Sequence, residues 1–310
     1  ITPLEPDKTF SDDPLRMMRA AYFSSKLNFK INSKCRSSII SQAERIKIVS
    51  WERIRDEFIK ILNTPKPSIG LVILQKTGLM KSIFPEIDIM YDMKQSPEWH
   101  HKDIFAHTLQ VVDNAAELTN KMEIRFAALV HDIAKPNTRK IDPKKGYTFH
   151  GHDAIGERMM NKVGKRMKLS NKLLNYLKKL TLLHLRPIAL VKSEVSDSAV
   201  RRLIVAAGDE LKDLMTLCRA DITTKNAKMV KKYLNNFNIV EQKIDTVLDK
   251  DSAEQFQSPI RGKEIMKIFG LSEGREIGLI KKFIEEAILD GEIKNTYEDA
   301  KKYLANYKKI

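Results

Sequence analysis

Histidines in this sequence are confined to one stretch, and their order suggests a metal site. All 7 of them fall between His100 and His184. A zinc finger takes its ligands from closely spaced positions, whereas these are far apart. The spacing favours a bundle of helices in which each helix points one or two ligands at a common centre. The members of the ordered series are His107, the adjacent pair His131 and Asp132, His152, His184 and finally Asp221.

Two members of this series fall on the apolar faces of predicted helices. A leucine stripe from Leu173 to Leu180 leads to His184 at the next helical position. Leu214 and Cys218 lead to Asp221 in the same way. An unpaired carboxylate is costly in an apolar interior, and a cation with nitrogen and oxygen ligands would remove that cost. For either residue alone a satisfied core position is the simpler interpretation, but six positions in one order favour a metal site.

The ordered series resembles the HD superfamily of metal-dependent phosphohydrolases, which is named for its adjacent His-Asp pair. That pair stands in FAALVHDIAKP, the first histidine in DIFAHTLQVVD and the closing aspartate in CRADIT. The resemblance implies a catalytic role for Asp132, and for Lys135 a role in neutralising phosphate charge. It also implies one divalent metal and, beside it, a second metal or the substrate phosphate. The implied ligands are His107, His131, Asp132 and Asp221 for the first metal, with His152 and His184 near the second position.

The segment between the His-Asp pair and His152 reads as a short hairpin, because Asp-Pro and Lys-Gly turn signals lie within it. His150 stands at the exit of this hairpin. It is predicted, like His100 and His101, to lie at the surface or behind the ligands.

Composition narrows the class of protein. The 310 residues are enough for two or three domains, and 55 Lys and Arg against 40 Asp and Glu give a net charge of +15. Such an excess favours a nucleic acid partner. No apolar run approaches the ~18 residues of a membrane span, and Cys35 and Cys218 give no disulfide framework. We therefore expect a cytoplasmic protein with no membrane partner. Because its first residues, from Ile1, read as mid-protein, we expect the C-terminal part of a longer chain.

The first ten residues read as extended, and a helix with a clear start follows them. Asp13 is placed to cap this helix, and Pro14 suits its first position. Asp12, Asp13, Arg16 and Arg19 lie towards its polar side. An aspartate and an arginine one turn apart commonly form a surface salt bridge, but they also offer an acceptor and a donor that can read a base edge.

The wider sequence favours base recognition. TFSDDPLRMMRAAYFSSKLNFKI and SWERIRDEFIKILNTPKPSIGLVILQKTGLMKSIFPEI resemble the region after the catalytic head of class II tRNA nucleotidyltransferases, the bacterial CCA-adding enzymes and their poly(A) polymerase relatives. In that family a Glu-Asp-x-x-Arg motif holds the Watson–Crick edge of the incoming nucleotide. The match places Asp13 and Arg16 in this motif, with Asp12 in place of the glutamate, and Arg19 is expected to orient the pair. Glu52, Arg53 and Arg55 fall in the family's next motif, on a helix that supports the base-reading one.

The family's paired Gly-Ser and Asp-x-Asp signatures, which mark its catalytic head, do not occur here. The resemblance implies an enzyme that adds CCA to tRNA 3′ ends from CTP and ATP, with Mg²⁺ held in a head absent from this chain. Two other interpretations remain: a free-standing HD phosphohydrolase acting on nucleotides or 2′,3′-cyclic phosphate ends, and a tRNA-binding module with an inactive HD fold. The motif DDPLR favours the first interpretation over the second. The complete ligand series favours an active site over a vestigial one.

Strand signals are almost absent, so an all-α fold in three parts is predicted. Residues 1–90 form the neck with its base-reading helix, 91–225 the HD domain and 226–310 a helical tRNA-binding tail that resembles the tail of HD-containing family members. Between Asn161 and Leu182 the sequence has seven basic residues and no acidic one. This pattern fits a solvated face and, given the net charge of +15, at least equally a strip that tracks phosphates. The low aromatic content of 7% argues against base-stacking platforms and favours recognition of tRNA by shape and phosphates.

Overall fold

The structure, a computed structural model, describes residue 2, residues 4–94, 103–144, 146–191, 196–250 and 258–305, and residue 307. The predicted all-α fold is confirmed, since the described residues form helices and one short antiparallel hairpin. The helices of the first part are α1 (Pro6–Asp12), α2 (Leu15–Leu27), α3 (Ser33–Gln42), α4 (Trp51–Leu62), α5 (Pro67–Lys76), α6 (Leu79–Ile83) and α7 (Pro85–Asp88). A 3₁₀ helix covers Ala43–Ile48.

The middle of the chain carries the elements that hold the histidine series. They are α8 (Ile104–Leu118), α9 (Met122–Val130), α10 (Lys135–Thr138), the strands β1 (Lys140–Asp142) and β2 (Gly146–Thr148), α11 (His152–Arg166), α12 (Asn171–Leu183) and α13 (Leu185–Val191). The remaining helices are α14 (Asp197–Ala207), a 3₁₀ turn at Gly208–Glu210, α15 (Leu211–Ala220), α16 (Ala227–Lys250), α17 (Gly262–Phe269), α18 (Arg275–Asp290) and α19 (Tyr297–Leu304). None of the described helices is long and apolar enough to cross a membrane.

One expectation for the N-terminus is wrong, because Pro6–Asp12 is helical rather than extended. Pro6 occupies the first helical position, where its missing N–H costs nothing, and Phe10 is buried. The second helix begins at Leu15, one residue later than predicted. Asp13 still supports that start, since its carboxylate accepts a hydrogen bond from the Leu15 N–H at 3.2 Å.

Two compact units are present. The first contains the residues up to Leu185 together with Lys212–Leu234, and the second contains Arg186–Leu211 and the residues from Asn235 onward. The neck and the histidine series therefore belong to the same unit. The division into three parts at residues 90 and 225 stays a prediction based on sequence resemblance.

A shared aromatic core joins helices of the first part to helices of the middle of the chain. Phe58 of α4, Phe84 before α7 and Phe126 of α9 are fully buried, with ring centres 5.7 to 6.4 Å apart. Burial of each ring contributes on the order of 1.5–3 kcal/mol. The buried Arg125 adds a polar tie, because its guanidinium donates to the carbonyls of Leu62 at 3.1 Å and Ala116 at 3.2 Å, near the ends of α4 and α8.

Close packing of α11 on α12 positions two of the histidines. A Cβ at Gly156 would lie 2.9 Å from the Thr181 side chain, so only glycine permits this approach. Because His152 begins α11 and His184 directly follows α12, the contact brings both imidazoles to the same end of the pair. In the second unit α17, α18 and α19 enclose their own core, which includes Ile265, Ile284 and Leu304.

Candidate functional site

The six residues of the predicted series converge on one place in the first unit. They come from the inner face of α8, the end of α9, the start of α11, the end of α12 and the residue after α15. Five are buried and Asp221 is partly buried. The structure thus brings together residues that span more than a hundred positions of sequence: His107, His131, Asp132, His152, His184 and Asp221.

Three of these side chains form a first group that could hold a metal ion. His107 Nε2 lies 3.0 Å from Asp221 Oδ1, and His131 Nε2 lies 3.7 Å from the same oxygen. A second group consists of Asp132, His152 and His184. Within it Asp132 Oδ1 lies 3.3 Å from His152 Nε2, and the Nε2 atoms of the two histidines are 3.3 Å apart.

Asp132 belongs to the second group but also faces the first. Its Oδ2 lies 3.1 Å from His131 Nε2 and 3.4 Å from His107 Nε2, whereas its Oδ1 faces His152 and His184. The sequence resemblance assigned this carboxylate to the first metal alone. The geometry gives each oxygen of Asp132 a different set of imidazole neighbours, so the carboxylate could serve either group.

The hydrogen bonds of the imidazoles prepare them to act as ligands. Nδ1 of His131 lies 2.8 Å from a backbone carbonyl, and Nδ1 of His152 and of His184 each lie 2.7 Å from one. A carbonyl only accepts hydrogen bonds, so Nδ1 carries the proton in each ring and Nε2 presents its lone pair in the neutral form. This arrangement is typical of metal-ligating histidines. His107 makes the corresponding contact through Nδ1, at 3.1 Å from the Thr223 hydroxyl.

Unsatisfied polar atoms at the centre fit a cation. His131 Nε2 and Asp221 Oδ1 are buried and make no aligned hydrogen bond within the described residues, and Asp132 Oδ2 makes none beside its ion pair with Lys135. Their mutual contacts are close but poorly directed, and buried polar atoms rarely remain in this condition. Imidazole nitrogens and carboxylate oxygens together suit divalent transition metals and zinc. The residues present therefore fit a bound divalent metal.

The electrostatics of this centre also favour a cation. Burial is the largest influence on Asp132 and acts to raise its pKa, but His131, Lys135 and His107 together hold that pKa well below its usual range. Burial likewise acts to lower the pKa of His107, and the neighbouring Asp132 and Asp221 outweigh it and raise the pKa to about 9. Burial lowers the pKa of His184 to about 4, so this imidazole is neutral at pH 7. A cation that binds at His107 therefore displaces a proton.

Lys135 lies at the edge of the centre. Its ammonium is 2.6 Å from Asp132 Oδ2, and its side chain is largely buried. The same ammonium lies 5.6 Å from the centre of the Phe149 ring. A phosphate that reaches the metal centre from this side would meet the ammonium directly. His150 is exposed, and the expectations for His100 and His101 lie outside the described residues.

Asn114 is a supporting residue that sequence reasoning missed. Its side-chain amide donates to the carbonyls of Ala220 at 2.7 Å and Ile222 at 3.3 Å, the two neighbours of Asp221. It lies two helical turns after His107 on the same face of α8, and this spacing was the available signal. Asn114 therefore fixes the backbone that presents Asp221.

Replacing Asn114 by alanine is expected to weaken binding of a divalent metal by about tenfold, since loss of a residue that orients a ligand typically costs 10- to 100-fold in metal affinity. Calorimetric titration of the metal-free chain with Zn²⁺ or Mn²⁺ measures the change. Asn175→Ala, at an exposed position of α12, is the matched control. Equal affinities of the Asn114 and Asn175 variants would exclude the supporting role.

The predicted base-reading residues lie at the start of α2 and face solvent. Both carboxylate oxygens of Asp13 lie 3.3 Å from the Arg53 guanidinium of α4. Arg16 donates to the Thr9 carbonyl at 3.3 Å, and Arg19 contacts Glu57 at 3.4 Å. The partners of Asp13 and Arg19 therefore come from α4, the helix expected to support this motif.

Glu57 is a second residue that sequence reasoning missed. Its carboxylate is buried and lies 2.8 Å from Lys60, and one of its oxygens has no hydrogen-bond partner within the described residues. The carboxylate thereby anchors Arg19 to α4. The local sequence gave no signal for this role, because Arg19 and Glu57 are 38 positions apart.

The basic strip is less uniform than its sequence. Arg166 forms a two-pronged, largely buried ion pair with Glu86, at 2.8 and 2.5 Å, and Lys178 pairs with Glu157 at 2.9 Å. The carboxylates that neutralise these two cations, Glu86 and Glu157, both precede the strip in the sequence. Four other members of the strip are exposed, two on α11, one in the turn after it and one at the start of α12: Lys162, Lys165, Lys168 and Lys172.

Two known protein families match different parts of the first unit. Residues 28–90 match the family described as the probable RNA and SrmB-binding site of polymerase A. Residues 104–224 match the HD domain family, and this range contains every member of the histidine and aspartate series.

Similar proteins are tRNA nucleotidyltransferases. The chain is 27% identical over 307 residues to the A-adding tRNA nucleotidyltransferase of Deinococcus radiodurans, covering 95% of this chain and 68% of that protein. It is 27% identical to the CC-adding tRNA nucleotidyltransferase of Thermus thermophilus, with coverage of 96% and 67%. It is 32% identical over 169 residues to the multifunctional CCA protein of Psychromonas ingrahamii, with coverage of 52% and 40%.

A solved structure shares the fold. The crystal structure of Bacillus stearothermophilus CCA-adding enzyme in complex with CTP superimposes with a TM-score of 0.57 at 21% sequence identity. The superposition covers 97% of this chain and 63% of that one. The chain thus spans about two thirds of the length of the first relatives that it matches, and 40% of the Psychromonas protein.

Proposed function

We propose, from the premise that this chain corresponds to the neck, HD domain and tail of a class II tRNA nucleotidyltransferase, that it serves the addition of CCA to tRNA 3′ ends. Its neck would select CTP and ATP by their bases. Its basic surfaces would hold the tRNA. Its HD centre would bind a divalent metal and hydrolyse phosphoesters of the phosphomonoester or 2′,3′-cyclic phosphate type. Mg²⁺ for nucleotide transfer would belong to a catalytic head.

One observation carries the proposed hydrolytic activity: the convergence of six candidate ligand side chains, of which buried His131 Nε2 and Asp221 Oδ1 lack aligned hydrogen-bond partners. His107, His131 and Asp221 would hold one cation, and His152 and His184 would serve a second cation or orient the phosphate. Asp132 would bridge the two positions. The bound metal would polarise a phosphoryl oxygen and lower the pKa of a water molecule.

The chain's own residues would do the rest. The Lys135 ammonium would compensate phosphate charge, and the backbone carbonyls bound to Nδ1 would hold three imidazoles in the orientation that ligation needs. The Asp132 carboxylate stays deprotonated, because the neighbouring cations keep its pKa low.

Base selection in the neck would use Asp13 as acceptor and Arg16 as donor. Arg53 would hold the Asp13 carboxylate from α4 while leaving it partly exposed to a nucleotide. A hydrogen bond from the Arg16 guanidinium to the Thr9 carbonyl would orient the Arg16 side chain. Arg19 would contribute through its contact with Glu57, by fixing α2 on α4.

An HD fold that only binds tRNA is the second candidate, favoured by the exposed lysines on α11. Metal analysis and hydrolysis assays on the purified chain distinguish the two. Bound divalent metal with hydrolysis of a nucleoside 2′,3′-cyclic phosphate supports the active site. tRNA binding without metal and without hydrolysis supports the binding module.

Salt dependence tests the proposed tRNA surface. Lys165→Ala is expected to reduce the slope of log affinity against log salt by about 1, because an exposed lysine that contacts phosphate releases about 0.9 counterion in duplex regions. Lys178→Ala is the matched control on the same strip, since Glu157 already neutralises that ammonium. Binding of tRNA measured between low and physiological salt gives both slopes. A wild-type affinity that does not depend on salt would contradict the phosphate-tracking role.

A further inference from the structure

The hairpin formed by β1 and β2 borders the metal centre at both of its ends. Lys135 begins α10 just before the hairpin, and His152 begins α11 just after it. The Phe149 carbonyl accepts the hydrogen bond from His152 Nδ1 at 2.7 Å, and the Phe149 ring lies 5.6 Å from the Lys135 ammonium. The hairpin exit is therefore tied to one proposed ligand and to the proposed phosphate-binding cation.

Strand register gathers apolar and planar side chains on one face of this hairpin. Ile141 pairs directly with Tyr147, and side chains opposite each other in an antiparallel pair point to the same face. Alternate residues of a strand share a face, so Arg139 and Phe149 continue it at the two strand ends. The Arg139 guanidinium lies 3.8 Å over the centre of the Tyr147 ring, which agrees with this placement.

The middle of this face is exposed. Ile141 is 78% exposed, more than any other large hydrophobic residue in the described part of the chain. Tyr147 and Arg139 are partly exposed. A two-stranded hairpin has no core of its own. Ile141 therefore contributes little to folding through burial. Nucleobases stack on aromatic rings and on arginine guanidinium planes, and such a surface suits them.

We propose that Arg139, Ile141, Tyr147 and Phe149 form a nucleoside platform that gives the HD centre its substrate class. The substrates would be nucleoside phosphates, whether free mononucleotides or RNA 3′ ends, in preference to phosphate esters in general. This inference rests on the proposed phosphohydrolase function. It departs from the expectation, based on composition, that base stacking has no part in this chain.

The dimensions of the hairpin agree with a nucleotide lying along it. Lys135 and the metal centre would take the phosphate, and Phe149 is the first ring beyond them. Tyr147 lies two strand positions beyond Phe149, roughly 7 Å along the strand, so the two rings continue the platform away from the phosphate position. The positive charge of Arg139 also complements the phosphodiester of an RNA end.

Steady-state hydrolysis of 3′-AMP and of β-glycerophosphate, with Mn²⁺ present, tests the platform. Tyr147→Leu is expected to raise the KM for 3′-AMP by about tenfold, since a stacked base contributes on the order of 1–3 kcal/mol, and to leave the KM for glycerophosphate unchanged. Tyr147→Phe keeps the ring and should behave as wild type. Thr148→Val, on the opposite face of the hairpin, is the matched control.

Equal effects of Tyr147→Leu on both substrates, or a Tyr147→Phe variant as impaired as Tyr147→Leu, would overturn the platform while leaving the phosphohydrolase function standing.

If the chain hydrolyses neither substrate, the proposed hydrolysis fails, and equilibrium binding tests the platform separately. Wild type should then bind 3′-AMP more tightly than glycerophosphate, with Tyr147→Leu removing the difference; the absence of a difference in wild type would overturn the platform. Tighter binding of a short oligoribonucleotide 3′-phosphate than of 3′-AMP would identify RNA ends as the ligand, and the reverse would identify free nucleotides.

Discussion

Asp132→Ala is expected to release the divalent metal from the purified chain and to reduce phosphoester hydrolysis by at least about 10²–10³-fold, the usual cost of losing one electrostatic group in an active site. Each oxygen of Asp132 faces a different group of imidazoles, so one substitution removes a ligand from both positions. Metal analysis and hydrolysis of 3′-AMP and a nucleoside 2′,3′-cyclic phosphate measure the two losses.

Loss of folding could imitate this result, because the carboxylate also compensates buried positive charge. Breaking a buried ion pair by removing one partner can cost up to about 3–5 kcal/mol. Lys135 and protonated His107 would both lose the carboxylate that compensates their charge. Asp132→Asn keeps the volume and is therefore the second variant, with thermal unfolding followed for both. Asp209→Ala, at an exposed turn of the second unit, is the control. A folded Asp132→Asn protein with full metal content and activity would refute the assignment.

Asp13→Ala and Arg16→Ala are expected to abolish the preference for C and A once the chain is joined to an active nucleotidyltransferase head. Cytosine and adenine each offer an exocyclic amine donor beside a ring-nitrogen acceptor, and an aspartate with an arginine complements that pattern. Uracil and guanine present the opposite pattern. A well-formed pair of base contacts discriminates by about 1–3 kcal/mol, so discrimination against UTP and GTP should fall by about 10- to 100-fold.

Incorporation of CTP, ATP, UTP and GTP into a tRNA lacking its CCA end measures this selectivity. Asp56→Ala, at an exposed position of α4, is the matched control. Arg53→Ala tests the positioning of Asp13: selectivity should fall in part, and Arg53→Lys should restore some of it. Unaltered selectivity in both Asp13→Ala and Arg16→Ala would reduce the motif to a surface pair at a helix start.

The sequence alone was sufficient for the all-α fold. Helical periodicity is a local property that three or four residues establish, and it correctly placed His184 on an apolar face leading into the core. It placed Asp221 on such a face as well, where the side chain is partly buried. It failed at Pro6–Asp12, where two prolines in a short segment suggested extended chain. A proline at the first helical position has no hydrogen bond to lose, so the burial of Phe10 decided the conformation.

Other properties were decided only by tertiary structure, because they depend on partners far away in sequence. The contacts of Arg53 with Asp13, of Arg166 with Glu86 and of Asn114 with the backbone beside Asp221 join residues 40, 80 and about 106 positions apart. No local pattern specifies such pairs. The sequence could count seven basic residues in the strip, but only the packing of Glu86 and Glu157 against it separates neutralised cations from exposed ones.

The division of labour within the metal centre has the same cause. Residue types and order predicted which side chains would meet, since histidines and aspartates on inner helix faces must find partners or a cation. Which oxygen of Asp132 faces which imidazole depends on how α9, α11 and α12 cross. That crossing is set by contacts such as Gly156 against Thr181, whose close approach no periodicity reveals.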